Sequence, residues 1–170
     1  MNNTETIIVS PIGDIPHWMS QTIARDVGKF FGFSARVEEI LYDILFAYDP
    51  ERRQYHSTKI LEALEKNAPD DCIKIIAVTN EDLFIPILTH VYGEAQLGGK
   101  ACIVSIARLV MGSEVMVVIE GCKRIVKEAI HELGHTFDLR HCEDQRCIMH
   151  YCRKLEDVDK KSSHFCRYCN

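Results

Sequence analysis

The sequence predicts an α/β fold of the α+β kind, with long helices packed on a layered sheet and a short tail that has no core of its own. Three observations lead there. Residues 73–78, apolar except for Lys74, and 101–106 are runs of strand length with the composition of strands buried on both faces. Residues 16–31 and 120–137 carry apolar side chains at helical spacing. Beyond residue 141 this periodicity stops and cysteines accumulate, five of the eight falling within the last 29 residues.

Taken in order, residues 6–10 form a β-branched run ending at Pro11-Ile12-Gly13, a first strand and its turn. Pro16 suits a first helical position, and Trp18, Ile23, Val27, Phe30 and Phe31 trace an apolar stripe up to Gly32. Residues 34–40 read as a second strand, whereas 41–47 are ambiguous between strand and helix. Asp49-Pro50 marks a turn and 51–56 a polar loop. Ser57 is the expected N-cap of a helix through Ile60, Leu61, Leu64 and Glu65, stopped by Pro69. After the strand at 73–78, residues 88–92 alternate weakly before Gly93. The strand at 101–106 follows. In the last helix the stripe is Cys122, Ile125, Val126, Ala129, Ile130 and Leu133.

Composition narrows the function. A chain of 170 residues fits one domain able to bury a substantial core. A net charge of -5 gives no general attraction to nucleic acid or acidic membranes. The first residues lack the basic start and apolar run of a secretory signal, and no segment approaches the roughly 20 apolar residues that span a bilayer. A cytoplasmic, monomeric protein is expected.

Residues 131–141 carry the chemistry: His-Glu-Leu-Gly-His-Thr-Phe-Asp-Leu-Arg-His. His131 and His135 lie one helical turn apart on one face, so their imidazoles can bind a single zinc ion. Glu132 stands beside them without having to bind it. His141 supplies a third nitrogen if the chain turns sharply after Phe137. Three protein ligands leave a position open for water, the layout of a catalytic zinc.

Without a secretory signal, cysteines are more often metal ligands or reduced core thiols than disulfides. Cys72, Cys102 and Cys122 sit among apolar residues and read as buried thiols. Cys142-x4-Cys147 and Cys166-x2-Cys169, 18 residues apart, have the spacing of a four-cysteine structural zinc. Free thiols or disulfides are the alternatives, and Cys152 is a spare thiol or a rival ligand. A metal would supply the folding free energy that so short a tail cannot obtain from burial. Residues 140–170 hold seven Lys/Arg against five Asp/Glu, which offsets the charge of a tetrathiolate zinc.

These motifs together resemble the metzincin metallopeptidases, and the archaemetzincin family in particular. The extended zinc motif runs directly into Cys142, then come Cys147, Met149 two residues later, and the distal Cys166–Cys169 pair. The resemblance implies two zinc ions per chain, one catalytic and one structural. It also implies a mixed twisted sheet with two long helices, ending in a small zinc-braced C-terminal subdomain. Residues 1–137 would form the N-terminal subdomain with the active-site helix, 138–170 the C-terminal one, within a single catalytic domain. Met149 would floor the zinc-binding imidazoles. Tyr151, in Met149-His150-Tyr151, would support the metal site. An edge strand around 90–95 would pair with an extended peptide or protein substrate.

The sequence departs from the pattern at two points. Asp138 stands where metzincins usually carry the glycine of the left-handed turn, and the spacing from Met149 to Cys166 is about one residue shorter. The implied activity is hydrolysis of peptide bonds by a zinc-bound water, with Glu132 as general base. A zinc-stabilised peptide-binding protein with little or no peptidase activity is the competing reading. A zinc-ribbon nucleic-acid binder is opposed by the net acidity. His17, His56, His90, His150 and His164 receive no role.

Overall fold

Side chains alternate across a strand, so an all-apolar strand must be covered on both sides, and this arranges the whole chain. The computed structural model describes residues 5–110 and 115–170; of the N-terminal stretch read above, 1–4 lie outside it. Strand β1 (Thr6–Ile12) leads into α1 (His17–Phe31) and β2 (Ser34–Val37). A single 3-10 turn over Leu45–Ala47 and the short β3 (Tyr48–Asp49) and β4 (Gln54–His56) precede α2 (Ser57–Asn67). Then come β5 (Cys72–Thr79), β6 (Leu83–Phe84), β7 (Gly93–Ala95) and β8 (Ala101–Ser105). Helices α3 (Val115–Thr136) and α4 (Leu155–Lys160) complete the chain.

The main sheet has the order β2-β1-β5-β8-β7, parallel throughout except for β7, which runs antiparallel along β8 as an edge. One face, with Ile7, Val9, Ile76, Val78, Cys102 and Val104, packs against α1, α3 and the tail. The other, with Ile8, Ile75, Ala77 and Ile103, is covered by Ile60, Leu61 and Leu64 of α2. The buried runs expected at 73–78 and 101–106 are thus interior strands, β5 at the centre of the sheet and β8 beside it.

Several elements differ from what the sequence alone predicts. The first strand continues through Pro11 to Ile12, and the second stops at Val37. In α1 Trp18 is half exposed while Met19 takes the core position. Residues 88–92 form only an isolated bridge, Leu83 with Val91, while part of the loop at 51–56 becomes β4. Ser57 does not cap α2: it is the first helical residue, and its hydroxyl donates to Glu94 of the edge strand. A tertiary partner has replaced the local one.

At the other end of α3 the chain turns as its glycine-less sequence permits. Asp138 adopts φ 69°, Leu139 N–H donates to Gly134 C=O at 3.0 Å, and Asp138 N–H to His135 C=O at 3.0 Å. This is a Schellman closure with a non-glycine left-handed residue. Asp tolerates that region better than most residues but still at a cost of about 1 kcal/mol. Asp138→Gly is therefore expected to raise the unfolding midpoint by a few degrees, read by calorimetry. An unchanged or lower midpoint would show that the left-handed turn carries no strain.

Candidate functional site

The turn at Asp138 brings His141 back over α3, beside His131 and His135. Ring centroids are 4.7 Å apart for His131–His135, 4.8 Å for His135–His141 and 5.3 Å for His131–His141. One ligand atom from each can be chosen so that all lie within 4.8 Å of one another. The imidazoles are fixed from behind: His131 Nδ1 donates to Ile148 C=O at 2.8 Å and His135 Nδ1 to Leu139 C=O at 2.7 Å. Such bonds set the tautomer and leave Nε2 as a bare lone pair. The Nε2 atoms of His131 and His135 then face each other at 3.1 Å with no proton between them. Two lone pairs at that distance repel unless a cation lies between them. Zn–N bonds of about 2.05 Å in a tetrahedron place nitrogens roughly 3.3 Å apart, so the donors present fit zinc. Burial pushes all three histidines below their usual range, most strongly His131, which keeps them neutral as ligands must be.

Met149 lies against the same helix face from beneath. A Cβ built on Gly134 would stand 2.5 Å from its Sδ, so this glycine admits the thioether between the two histidine turns. Met149 is fully buried. The Tyr151 ring stands 5.1 Å from that of His141, at the rim.

Glu132 projects toward the edge strand. Burial, then neighbouring Glu128, holds its carboxyl well above the ordinary range, while Lys161 pulls the other way. A Cβ on Gly93 would come within 2.8 Å of Glu132 Oε1 and 2.5 Å of Ile103 O, so only glycine lets β7 pass this close. Next to it Glu94 accepts hydrogen bonds from Ser57 and, at 2.7 Å, from Thr58 at the first turn of α2. These hydroxyls tie the edge strand to a helix N-terminus, where a carboxylate is favoured. Ser57→Ala with Thr58→Val is expected to raise KM several-fold with less effect on kcat, because it loosens the strand without touching the histidines. An unchanged KM would show the tether to be irrelevant to substrate.

A cavity of about 700 Å³ lies between β7, α3 and the tail, lined by the three histidines, Glu132, Glu128 and Tyr151 among others. Behind it Cys142, Cys147, Cys166 and Cys169 form a second cluster, with all four sulfurs within 4.8 Å and Cys142 to Cys166 at 3.7 Å. Tetrahedral Zn–S bonds of about 2.3 Å require sulfurs about 3.8 Å apart. The backbone N–H of Tyr168 stabilises the Cys166 thiolate and lowers its pKa to about 7, whereas burial raises Cys142. Cys152 stays outside this cluster, buried at the cavity wall with its pKa pushed up to about 11. The two centres share backbone: Cys142 N–H donates to Met149 C=O at 2.9 Å, and His150 Nδ1 to Cys142 C=O at 2.8 Å.

The structure thus gathers His131, Glu132, His135 and His141 with Met149 at one site and the two cysteine pairs at a second, while Asp138 stays exposed in the turn between them. Sequence reasoning missed Glu128, Lys161, Gly93 and the Ser57–Glu94 tether, all of which depend on partners distant in the chain. Only Glu128 left a trace, being one turn before Glu132 on the same face.

The chain is similar to known proteins in both sequence and fold. The sequence pattern of Peptidase family M54 matches residues 21–170. Archaemetzincin of Methanocaldococcus jannaschii is 34% identical over 171 residues, spanning 96% of this chain and 89% of its own. That of Archaeoglobus fulgidus is 34% identical over 164 residues, 96% of this chain and 95% of its own. The crystal structure of archaemetzincin from Methanopyrus kandleri superimposes with a TM-score of 0.86 at 31% identity, covering 99% of this chain and 92% of that one. The A. fulgidus structure complexed with malonate gives 0.80 at 32% identity, covering 96% and 97%. Sequence family, relatives and fold agree: the chain belongs to peptidase family M54, the archaemetzincins, and is a zinc metallopeptidase.

Proposed function

We propose that His131, His135 and His141 hold a catalytic zinc, that Cys142, Cys147, Cys166 and Cys169 hold a structural one, and that Glu132 is the general base of peptide hydrolysis. The observation that carries this reading is the pair of bare Nε2 atoms 3.1 Å apart, open to a cavity that Glu132 also lines. Zinc, when bound there, supplies a Lewis acid that polarises the scissile carbonyl and acidifies a water.

The remaining steps belong to the protein. Gly93–Ala95, at the open edge of the sheet, pairs with an extended peptide and lays its carbonyl across the histidines. The Glu132 carboxylate takes the proton of the attacking water and delivers it to the departing amine. The burial of Glu132 strengthens each of these interactions. Residues 138–170 act as the subdomain that carries His141, Met149 and Tyr151 to the site, with the cysteine centre bracing it.

Metal quantification of purified protein tests the assignment. Two zinc ions per chain are expected, falling to one in a His131→Ala, His135→Ala double variant that keeps its cysteine site. Two retained ions in that variant would place the catalytic metal elsewhere. No described helix is long and apolar enough to cross a membrane.

A further inference from the structure

Glu128 and Lys161 form an ion pair of 2.7 Å, with side chains 5% and 0% exposed. A desolvated pair contributes little net stability, so its presence at the wall of a substrate cavity calls for another reason. Glu128 lines the cavity and Lys161 does not; the ammonium sits behind the carboxylate. Lys161 is held in place through its main chain, whose carbonyl accepts from Lys127 Nζ at 2.7 Å. Among the described residues Lys161 is the sole partner of Glu128. A carboxylate offers about four acceptor sites and no donor; Oε1 is buried against Lys161, and among the described residues no hydrogen bond fills the sites of Oε2, the oxygen left for the cavity.

The position of Glu128 fixes which part of a substrate would meet it. This step rests on the reading of Glu132 as the group that protonates the leaving amine. The amine must then stand on the Glu132 side of the histidines, and its residue extends in the same direction. Glu128 is one turn further along that face of α3, about 6 Å beyond Glu132.

We propose that Glu128, backed by Lys161, is the floor of the pocket for the side chain that follows the scissile bond, and that it selects long neutral hydrogen-bond donors, glutamine above all. An aliphatic side chain would strip water from the carboxylate and return nothing. An acidic one would meet like charge. A basic one gains from Glu128 but loses to Lys161 directly behind it, and gives up its own hydration. Cys152 and Arg153 complete the wall, and Arg153 is exposed, so its charge is screened by solvent.

The test compares peptides differing only after the scissile bond, glutamine against the similarly sized methionine, with lysine and glutamate included. Wild-type protein is expected to favour glutamine over methionine by roughly tenfold to a hundredfold in kcat/KM. The same order is expected in calorimetric binding of tripeptides that begin with these residues, a measurement that needs no turnover. Glu128→Met combined with Lys161→Met exchanges the pair for apolar groups of similar volume, a change buried pairs often tolerate. It should reverse the preference while zinc content stays the same.

Equal binding of glutamine and methionine by wild type, a lysine preference, or an unreversed order in the folded double variant would each overturn the proposal. Should the double variant not fold, Glu128→Gln and the wild-type binding order still decide it. Hydrolysis by a Glu132→Ala variant would instead refute the general-base reading, and the tripeptide order separates the two outcomes.

Discussion

Glu132→Ala is expected to reduce kcat by about 10³–10⁴-fold while both zinc ions remain bound. A positioned general acid–base group contributes roughly 10²–10⁴-fold, and here one carboxylate serves both proton transfers, which places the loss toward the upper end. Zinc content should not change, because Glu132 points to Gly93 of the edge strand rather than between the histidine nitrogens. Glu132→Gln gives a second readout. Burial holds the carboxyl above its ordinary value, so the folded state binds a proton more readily than the unfolded one. Stability from this group is therefore complete below the unfolded carboxyl range and is lost as pH rises through the folded value. At neutral pH the metal-free Gln variant should consequently unfold at a higher temperature than metal-free wild type. An inactive but more stable protein is the signature of a buried base; a Gln variant no more stable, or an active Ala variant, would contradict it.

Cys166→Ser is expected to be the most damaging change outside the catalytic residues. Binding of structural zinc by small sites is worth on the order of 10 kcal/mol, and one lost thiolate forfeits much of it. Other ties to the tail remain. Asp159 accepts from Arg124 at 2.7 and 2.8 Å, and Phe165 packs edge-on against Phe30 with centroids 5.0 Å apart. The bidentate ion pair, with Arg124 largely buried and Asp159 exposed, is worth far less than the metal centre. We expect a fall in Tm on the order of 10 °C, early proteolysis within 142–170, and hydrolysis reduced at least tenfold. Activity falls because His141 precedes Cys142 directly and because Met149, beneath the imidazoles, bonds to Cys142 through its carbonyl. A Cys166→Ser variant with wild-type kcat and one zinc would mean that the cysteine centre does not brace the catalytic one.

The parts of this molecule that the sequence disclosed are those whose geometry is local. His131 and His135 are related by one helical turn, and the cysteine pairs by short loops, so spacing alone conveys their arrangement. Residues 73–78 and 101–106 announced themselves as interior strands because burial on both faces leaves no polar alternation. Ser57 misled for the opposite reason. As a local signal it is an N-cap, but Glu94, 37 residues away, captures its hydroxyl. The two-residue strand Leu83–Phe84 is too short to carry a period. Glu128 and Lys161 look like surface residues in the chain and become a buried pair only when the tail folds onto α3.

Anomalous diffraction at the zinc edge from crystals of zinc-loaded protein would locate both metal ions. Two peaks are predicted per chain, one at the Nε2 atoms of His131 and His135 together with an imidazole nitrogen of His141, and one among the sulfurs of Cys142, Cys147, Cys166 and Cys169. A single peak, or a metal bound without His141, would contradict the account.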